Sequence, residues 1–130
     1  RRQLHETAIH RVDAELASGP VSEVPVDQAV DGIDELLTGF LPRRSSRLRP
    51  DTPRTIAVHA EDADAAWLVR AGPDGATTER VRADGDVVVR APAADLYLLV
   101  WNRRDLAGID VSGDASLLDL WRSNVQVRWS

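Results

Sequence analysis

The first segment of the chain in which apolar residues recur with a helical period lies near its beginning. Ile9, Val12 and Leu16 form one apolar stripe at the spacing of an α-helix. The sequence Ser18-Gly19-Pro20 then predicts that this helix ends near Ala17, because Gly and Pro terminate helices. The chain opens inside this pattern, so we expect it to be the back portion of a larger protein.

A second helix is predicted after a short extended link. Asp27 is a plausible N-cap, and Pro42 is expected to lie beyond the end of the helix. Its apolar positions keep the helical spacing throughout: Ala29, Val30, Ile33, Leu36, Leu37 and Phe40.

From Arg54 the apolar period changes to two, which indicates strands. Gly72-Pro73-Asp74-Gly75 is predicted to be a turn, and Asp84-Gly85 is the favoured sequence of a tight β-hairpin. The strands predicted around these turns are Thr55–His59, Ala65–Ala71, Thr77–Arg82 and Asp86–Arg90.

The last third of the chain mixes helices and strands. A helix is predicted from Pro92 to Trp101, followed by a strand at Gly108–Ser112, a helix capped by Ser112-Gly113-Asp114 and one more strand at Val125–Trp129. Strands grouped in the middle with helices before and after predict an α+β fold. We expect an antiparallel sheet of about five strands with helices packed on one face.

Composition narrows the class of protein. The chain has 130 residues, 43% of them hydrophobic and 28% charged, which is typical of a globular domain. The net charge of −5 argues against nucleic-acid binding, which needs a basic face. No apolar run approaches the roughly 20 residues that span a bilayer, so no membrane association is expected.

The kinds of reactive side chain are also limited. The sequence contains no Cys, which excludes disulfides and thiolate ligands or nucleophiles from this chain. All 16 Lys and Arg residues are Arg, which together with abundant Ala, Asp and Val we interpret as the codon bias of a GC-rich genome. We therefore expect a bacterial, cytoplasmic protein.

The first helix carries the strongest candidate chemistry. Glu6, His10 and Asp13 fall at i, i+4 and i+7 and therefore project from one face of the helix. A carboxylate and an imidazole one turn apart can both bind one divalent metal ion. Two ligands do not complete a site, and by spacing alone a solvated polar face is the more common interpretation.

Two further features each have two interpretations. The basic stretch Arg43-Arg44-Ser45-Ser46-Arg47-Leu48-Arg49 could bind a phosphate or carboxylate, but such loops are more often solvated connectors. Four Trp residues could line an apolar ligand pocket or simply fill the core, and the second alternative is the more common. They are Trp67, Trp101, Trp121 and Trp129.

Three motifs together resemble the mycothiol-dependent maleylpyruvate isomerase family of actinobacteria. The segment from Glu6 to Asp13 is similar to the family's E-x-x-x-H-x-x-D sequence, and Asp31-Gly32-Ile33-Asp34-Glu35 is similar to its second helix. The stretch from Asp95 to Arg103 with Val111-Ser112-Gly113-Asp114 resembles its D-L-x-L-x-x-W-G-R … V-x-G-D pattern, which is shared loosely with sterol-carrier-like domains. Asn102 stands where that pattern has Gly.

The resemblance implies roles for particular residues. Family members join a DinB-like four-helix bundle that holds a metal, usually zinc, to a smaller sterol-carrier-like domain. Glu6 and His10 would then be two metal ligands, with the third, a His, upstream of this chain. Asp13 would accept a hydrogen bond from the His10 imidazole and so orient it toward the metal. The family also places a functional Arg from the smaller domain near the active site, which makes Arg103 the catalytic candidate and Arg104 the second choice.

The resemblance also predicts the organisation of the protein. Residues 1–18 would be the remnant of the last bundle helix, and residues 19–130 the C-terminal α+β domain. The intact protein would use a divalent metal, mycothiol and a small-molecule substrate, whereas this fragment is expected to bind neither cofactor and to be inactive alone. Its expected partner is its own helical bundle.

Two alternatives remain open. The chain could instead be a non-catalytic, sterol-carrier-like binding or interaction module, which a sizeable apolar cavity beneath the helix Pro92–Trp101 would favour. An uncovered stripe of Ile9, Val12 and Leu16 would also invite association into a homodimer through the first helix.

Overall fold

The computed structural model describes residues 9–11, 13–14, 24–40 and 50–124. Several of the expectations above lie outside these residues. They concern Glu6, the stripe positions Val12 and Leu16, the end of the first helix near Ala17, Pro42, the basic stretch at 43–49, and the strand at 125–129 with its Trp129.

Within this part of the chain three α-helices and five strands form in sequence. The helices are α1 (Val26–Asp34), α2 (Ala93–Val100) and α3 (Ser116–Asn124), and α1 continues into a π-helix at Glu35–Phe40. The strands are β1 (Arg54–Ala60), β2 (Ala66–Gly72), β3 (Gly75–Glu79), β4 (Val87–Ala91) and β5 (Asp110–Gly113). Residues 9–11 and 13–14 are helical as well, and we call them the N-terminal helical segment.

The five strands form one sheet in the order β3-β2-β1-β4-β5. Three of the four pairings are antiparallel, but β1 and β4 run parallel. The predicted α+β class, the strand number and a mostly antiparallel sheet are therefore confirmed. The parallel pairing of β1 with β4 departs from the predicted antiparallel arrangement. The predicted turn at Gly72–Gly75 is confirmed, because Gly72 and Gly75 pair at the end of β2 and β3.

The predicted hairpin at Asp84-Gly85 is wrong. Strand β3 already ends at Glu79. Residues 80–86, here called the crossing segment, then lead to β4 across the face of the sheet opposite the helices, which we call the rear face. The alternation of apolar and polar residues that predicted a strand here has a different cause. Val81 and Ala83 point inward from a segment that pairs with none of the five described strands, and they pack on Ala57, Leu68 and Val88.

Polar contacts fix the crossing segment to the sheet. The Arg82 guanidinium donates to the carbonyls of Ala60 and Ala65, both at 3.3 Å. The Asp86 carboxylate accepts from the Thr55 backbone N–H at 2.8 Å. His59, which could have faced either side, is buried on the rear face with its Nε2 2.9 Å from the Ala83 carbonyl oxygen.

The opposite face of the sheet carries the main core. Alternate residues of β1, β2 and β4 point toward α1, α2 and α3, as period-two strands require. The largest fully buried side chains of this cluster include Ile33, Leu36, Trp67, Val69, Leu96 and Tyr97. Ile9 of the N-terminal helical segment is 0% exposed and belongs to the same cluster. Within one chain, then, this member of the predicted stripe is already covered.

The Trp residues inside the described part of the chain fill the core, as the more common interpretation predicted. Trp67, Trp101 and Trp121 are buried. Their indole N–H groups donate to Asp34 Oδ1 at 3.1 Å and to the carbonyls of Gly32 and Val100 at 3.3 and 3.1 Å. Each burial is therefore accompanied by a satisfied donor.

Between the described parts of the sheet and the two later helices, little free space remains. The apolar cavity there has a volume of about 20 Å³, enough for about one water molecule. Its walls are Ile56, Val58, Val89, Leu99, Val100, Leu118 and Trp121.

The starts of the helices differ in how they are capped. Asp27 is not the N-cap of α1, since Pro25 holds that position and Asp27 lies within the first turn. There its negative charge still interacts favourably with the positive end of the helix dipole. Helix α2 is capped from a distance, because the Ala93 N–H donates to Asp62 Oδ1 at 2.8 Å.

Asp114 fulfils its predicted capping role at α3. Its carboxylate accepts from the Ser116 hydroxyl and from the Ser116 backbone N–H, and these hydrogen bonds lower the pKa of Asp114. Among the described residues, none of the helices combines the length and apolar character required to traverse a bilayer.

Candidate functional site

The end of α2 fixes the direction of the predicted catalytic arginine. Asn102 has a φ of +59°, in the left-handed region that glycine adopts most readily. The Asn102 N–H donates to the Leu99 carbonyl at 3.0 Å, and the Arg103 N–H donates to the Leu98 carbonyl at 2.7 Å. These two bonds form a Schellman motif, so Asn102 performs the backbone function of the glycine that it replaces.

Arg103 turns from this motif toward the N-terminal helical segment. Its Nε and Nη2 donate to the two carboxylate oxygens of Asp13 at 2.6 and 3.2 Å, while its Nη1 donates to the Trp101 carbonyl at 2.7 Å. The forked geometry is that of a bidentate arginine–carboxylate pair. The structure thus brings together two of the predicted site residues, which lie 90 positions apart in the sequence.

Arg104, the second candidate, has a different role. Its guanidinium donates to Asp95 Oδ1 at 2.7 Å and to the carbonyls of Asp105 and Ala107. These contacts tie the loop after α2 back onto the helix. Arg104 is therefore occupied within its own loop, and Arg103 is the arginine directed at the N-terminal helical segment.

Two buried polar residues belong to the same region of the protein. Tyr97 of α2 is 0% exposed, and Glu35, the first residue of the π-helix, is 7% exposed. Burial raises the pKa of Tyr97 to about 12, while Arg11 and Arg103 act to lower it and Glu35 acts to raise it. The same phenol therefore lies in the field of two guanidinium groups and one carboxylate. We call Arg11, Asp13, Glu35, Tyr97 and Arg103 the Arg103 cluster.

The other predicted site residues have the following places. His10 and Asp13 are both exposed on the N-terminal helical segment, whereas Glu6 lies outside the described residues. Both carboxylate oxygens of Asp13 accept from Arg103, so the role of this residue in orienting His10 stays a prediction. In the part of the chain that the structure describes, no three His, Asp or Glu side chains come together as a metal site. These residues alone do not fit a bound metal ion.

Sequence reasoning missed three members of the cluster, namely Arg11, Glu35 and Tyr97. Tyr97 was recognisable in part, since it follows the inward-facing Leu96 and precedes Trp101 by one helical turn. Glu35 gave a weaker signal. It interrupts an apolar helical stripe, and the change from α- to π-helix at this residue alters which side chains face inward.

Comparison with known proteins identifies the family and the fold of this chain. A model of the family described as the MDMPI C-terminal domain matches residues 27–120. No match was found among curated proteins. Solved structures do match. One is a UbiJ-SCP2 ubiquinone synthesis protein, with 21% sequence identity, a TM-score of 0.53, and coverage of 72% of this chain and 90% of that one.

Two other structures complete the comparison. The stereoselective inverting sec-alkylsulfatase Pisa1 from Pseudomonas sp. is 15% identical over 59% of this chain, with a TM-score of 0.51, and the chain spans only 13% of that enzyme's length. Sterol carrier protein 2 like 2 from Aedes aegypti is 17% identical with a TM-score of 0.41, covering 95% of this chain and 98% of that one.

The sheet and the likeness to the UbiJ-SCP2 structure define an α+β domain with a sterol-carrier-like fold. Within that class the family can be stated as well. Because the family model covers most of the sequence, the chain belongs to the MDMPI C-terminal domain family. The resemblance to the maleylpyruvate isomerase family, based on the motifs around Asp95–Arg103 and Val111–Asp114, is confirmed at this level.

Proposed function

We propose that this chain is the C-terminal part of a metal-dependent enzyme that uses a mycothiol-type thiol, similar to maleylpyruvate isomerase, and that Arg103 is its contribution to the active site. Residues 1–18 would be the last helix of the metal-binding bundle. The protein would act on a small anionic substrate, and we expect it in the cytoplasm. The fragment alone would be inactive.

The observation that carries this proposal is the pair between Arg103 and Asp13. Through this pair the Arg103 guanidinium contacts the helical segment that carries His10. Asp13 lies about one helical turn after His10 on that segment. A guanidinium near a metal centre can bind a carboxylate of the substrate and stabilise negative charge that develops during the reaction. Arg104 pairs instead with Asp95 of α2, whereas Arg103 pairs with the segment that carries His10. We therefore assign this role to Arg103.

The metal site itself would need groups beyond the described residues. Glu6 and His10 would supply two ligands from this chain, and a histidine of the helical bundle would supply the third. When bound, a zinc ion in such a site lowers the pKa of a coordinated thiol or water. Asp13 would hold Arg103 in place beside it.

A protein that joins this chain to its preceding helical bundle tests the proposal. We expect one divalent ion per protein by elemental analysis, and we expect it to be lost in the His10→Ala variant. Absence of a stoichiometric metal, or a metal content indifferent to His10, would contradict the metal-dependent function.

The role of Arg103 is tested in the same protein by mycothiol-dependent turnover of maleylpyruvate. Arg103→Gln should lower kcat/KM by about 10²–10³, the typical cost of removing one group that stabilises developing charge. Arg104→Gln is the matched control, because it removes the neighbouring arginine and its pair with Asp95, and it should leave turnover nearly unchanged. Equal effects of the two substitutions would refute the assignment.

The alternative of a sterol-carrier-like binding module finds less support. The fold favours it, but the apolar cavity beneath α2 holds about 20 Å³, far below the roughly 300 Å³ or more of ordinary ligand pockets. The described core is therefore packed too closely to admit a sterol-sized molecule without rearrangement.

A further inference from the structure

The Arg103 guanidinium already holds a carboxylate group. Its Nε and Nη2 donate to Asp13 Oδ1 and Oδ2 at 2.6 and 3.2 Å, which is the two-bond geometry in which arginine binds carboxylates in general. The carboxylate of a small organic acid has the same shape, charge and acceptor atoms as that of Asp13. Asp13 therefore occupies the position on Arg103 that such a ligand would take.

The guanidinium is also held by groups other than Asp13. Arg103 Nη1 donates to the Trp101 carbonyl at 2.7 Å, and the Arg103 backbone N–H donates to the Leu98 carbonyl at 2.7 Å. Trp101 is itself anchored in the core, because it is 3% exposed and its indole N–H donates to the Gly32 carbonyl at 3.3 Å. Loss of the pair with Asp13 would therefore leave Arg103 in position.

Asp13 can leave this pair without disrupting the domain. Its side chain is 44% exposed and that of Arg103 is 24% exposed. Ion pairs at such exposure contribute little to stability, because water competes for both partners. The N-terminal helical segment is attached to the core through Ile9, which is fully buried. The Asp13 carboxylate can therefore turn to solvent while its helix stays in place.

We propose that Asp13 is an internal competitor of the substrate, which occupies Arg103 until a small carboxylate ligand replaces it in the same two hydrogen bonds. No covalent bond changes in this exchange, and the released Asp13 carboxylate becomes hydrated. The exchange selects ligands with a carboxylate group over compact anions such as chloride, which cannot accept two parallel hydrogen bonds in this geometry. The inference rests on the proposed function of Arg103 and makes Asp13 a specificity-determining residue.

Titration of the 130-residue chain with succinate at neutral pH tests the exchange, with NMR resonances of the Arg103 Nε–H and of the Asp13 carboxyl carbon as readouts. Both resonances should shift with the same dependence on succinate, because one carboxylate replaces the other. Sodium chloride at matched ionic strength is the control for screening and should leave both nearly unchanged. A shift of Arg103 without one of Asp13 would mean that succinate binds without displacing Asp13, which refutes the exchange.

The Asp13→Asn variant separates competition from positioning. We expect it to tighten succinate binding about three- to fivefold, because the side chain keeps its shape but loses the charge that competes for Arg103. If Asp13 only held Arg103 in position, the same variant would weaken binding. The two roles thus predict effects of opposite sign, and an affinity that is unchanged or lower in Asp13→Asn would overturn the inference.

Asp95→Asn is the matched control. Asp95 pairs with Arg104 at 2.7 Å, and the two side chains are 40% and 25% exposed, almost as in the pair of Asp13 with Arg103. Both variants remove one negative charge from the chain, so a general electrostatic effect would tighten binding in both. We expect Asp95→Asn to leave succinate binding at Arg103 unchanged. Equal tightening in the two variants would refute a specific role of Asp13.

The proposed function and this inference fail in different ways. Succinate binding that is as tight in Arg103→Gln as in the wild type would refute the anion-binding role of Arg103. Binding that depends on Arg103 but is not tightened by Asp13→Asn would leave the proposed function intact and overturn this inference alone.

Discussion

At the scale of single residues, Asn102 determines where the candidate catalytic group points. Its left-handed backbone allows the two terminal hydrogen bonds of α2 and turns the chain so that Arg103 faces Asp13. A β-branched residue would oppose that backbone, whereas Gly adopts it without cost.

The change in stability on substitution of Asn102 should therefore follow the backbone preference of the new residue and not its polarity. We expect Asn102→Val to lower the free energy of unfolding by about 1–2 kcal/mol, and Asn102→Gly to change it by less than about 1 kcal/mol. Urea unfolding measures both. Ser123→Val, at an exposed position of α3 without a positive φ, is the control and should cost less than Asn102→Val.

Tyr97 gives the protein a specific sensitivity to alkali. Its pKa is about 12 in the folded state and 10.0 ordinarily, so the unfolded chain releases this proton first as the pH rises. Stability is thus fully present below about pH 10 and falls as the pH rises toward 12, by roughly 2–3 kcal/mol in all. The sequence has one Tyr and neither Lys nor Cys, so no other side chain ordinarily titrates in this range.

Tyr97→Phe should abolish that loss. Urea unfolding at pH 9 to 12 would show a falling stability for the wild type and a much flatter profile for the variant. The absorbance of tyrosinate follows the same residue directly in the wild type. A variant that loses stability as steeply as the wild type would show that another group is responsible.

At the scale of elements, the crossing segment replaces the hairpin that the sequence predicted. Asp84-Gly85 has the composition of a tight turn, but β4 gains a pairing with the apolar central strand β1 that a hairpin with β3 would not provide. Local propensity was overruled by the better tertiary partner.

Asp86 is the residue that anchors the end of this segment. Its carboxylate accepts from both the backbone N–H and the hydroxyl of Thr55. We expect Asp86→Ala to lower the free energy of unfolding by about 1–2 kcal/mol. Asp84→Ala, an exposed position two residues earlier, should stay within about 0.5 kcal/mol. Equal costs in urea unfolding would argue that these hydrogen bonds do not stabilise the segment.

Most elements could be predicted from period and turn composition, because those signals are local. The turn at Gly72–Gly75 and the helix after Pro92 are examples. The parallel pairing of β1 with β4 could not, since nothing in either strand encodes its direction. The candidate site likewise has a part that could be predicted and a part that could not. Arg103 was identified by resemblance, but its contact with Asp13 depends on how the N-terminal helical segment packs.

At the scale of the whole molecule, the N-terminal helical segment shares the core of the sheet and helices. Ile9 is fully buried in the cluster that contains Ile33 and Leu96. Ile9→Ala should accordingly destabilise the entire domain by about 2–5 kcal/mol, as other buried Ile→Ala changes do.

Chemical unfolding followed by Trp fluorescence measures this effect on the remote core. His10→Ala, at the adjacent exposed position, is the control and should cost less than about 1 kcal/mol. A transition of Ile9→Ala that coincides with wild type would mean that the segment unfolds separately from the domain.

The strand order also has a consequence for biosynthesis. As the nascent polypeptide leaves the ribosome, β1 can pair with β2 at once, but its other edge has no partner until residues 87–91 have emerged. During that interval an apolar strand edge is open to neighbouring chains. Any version of this protein shortened before Val87 would keep that edge permanently and should precipitate when expressed.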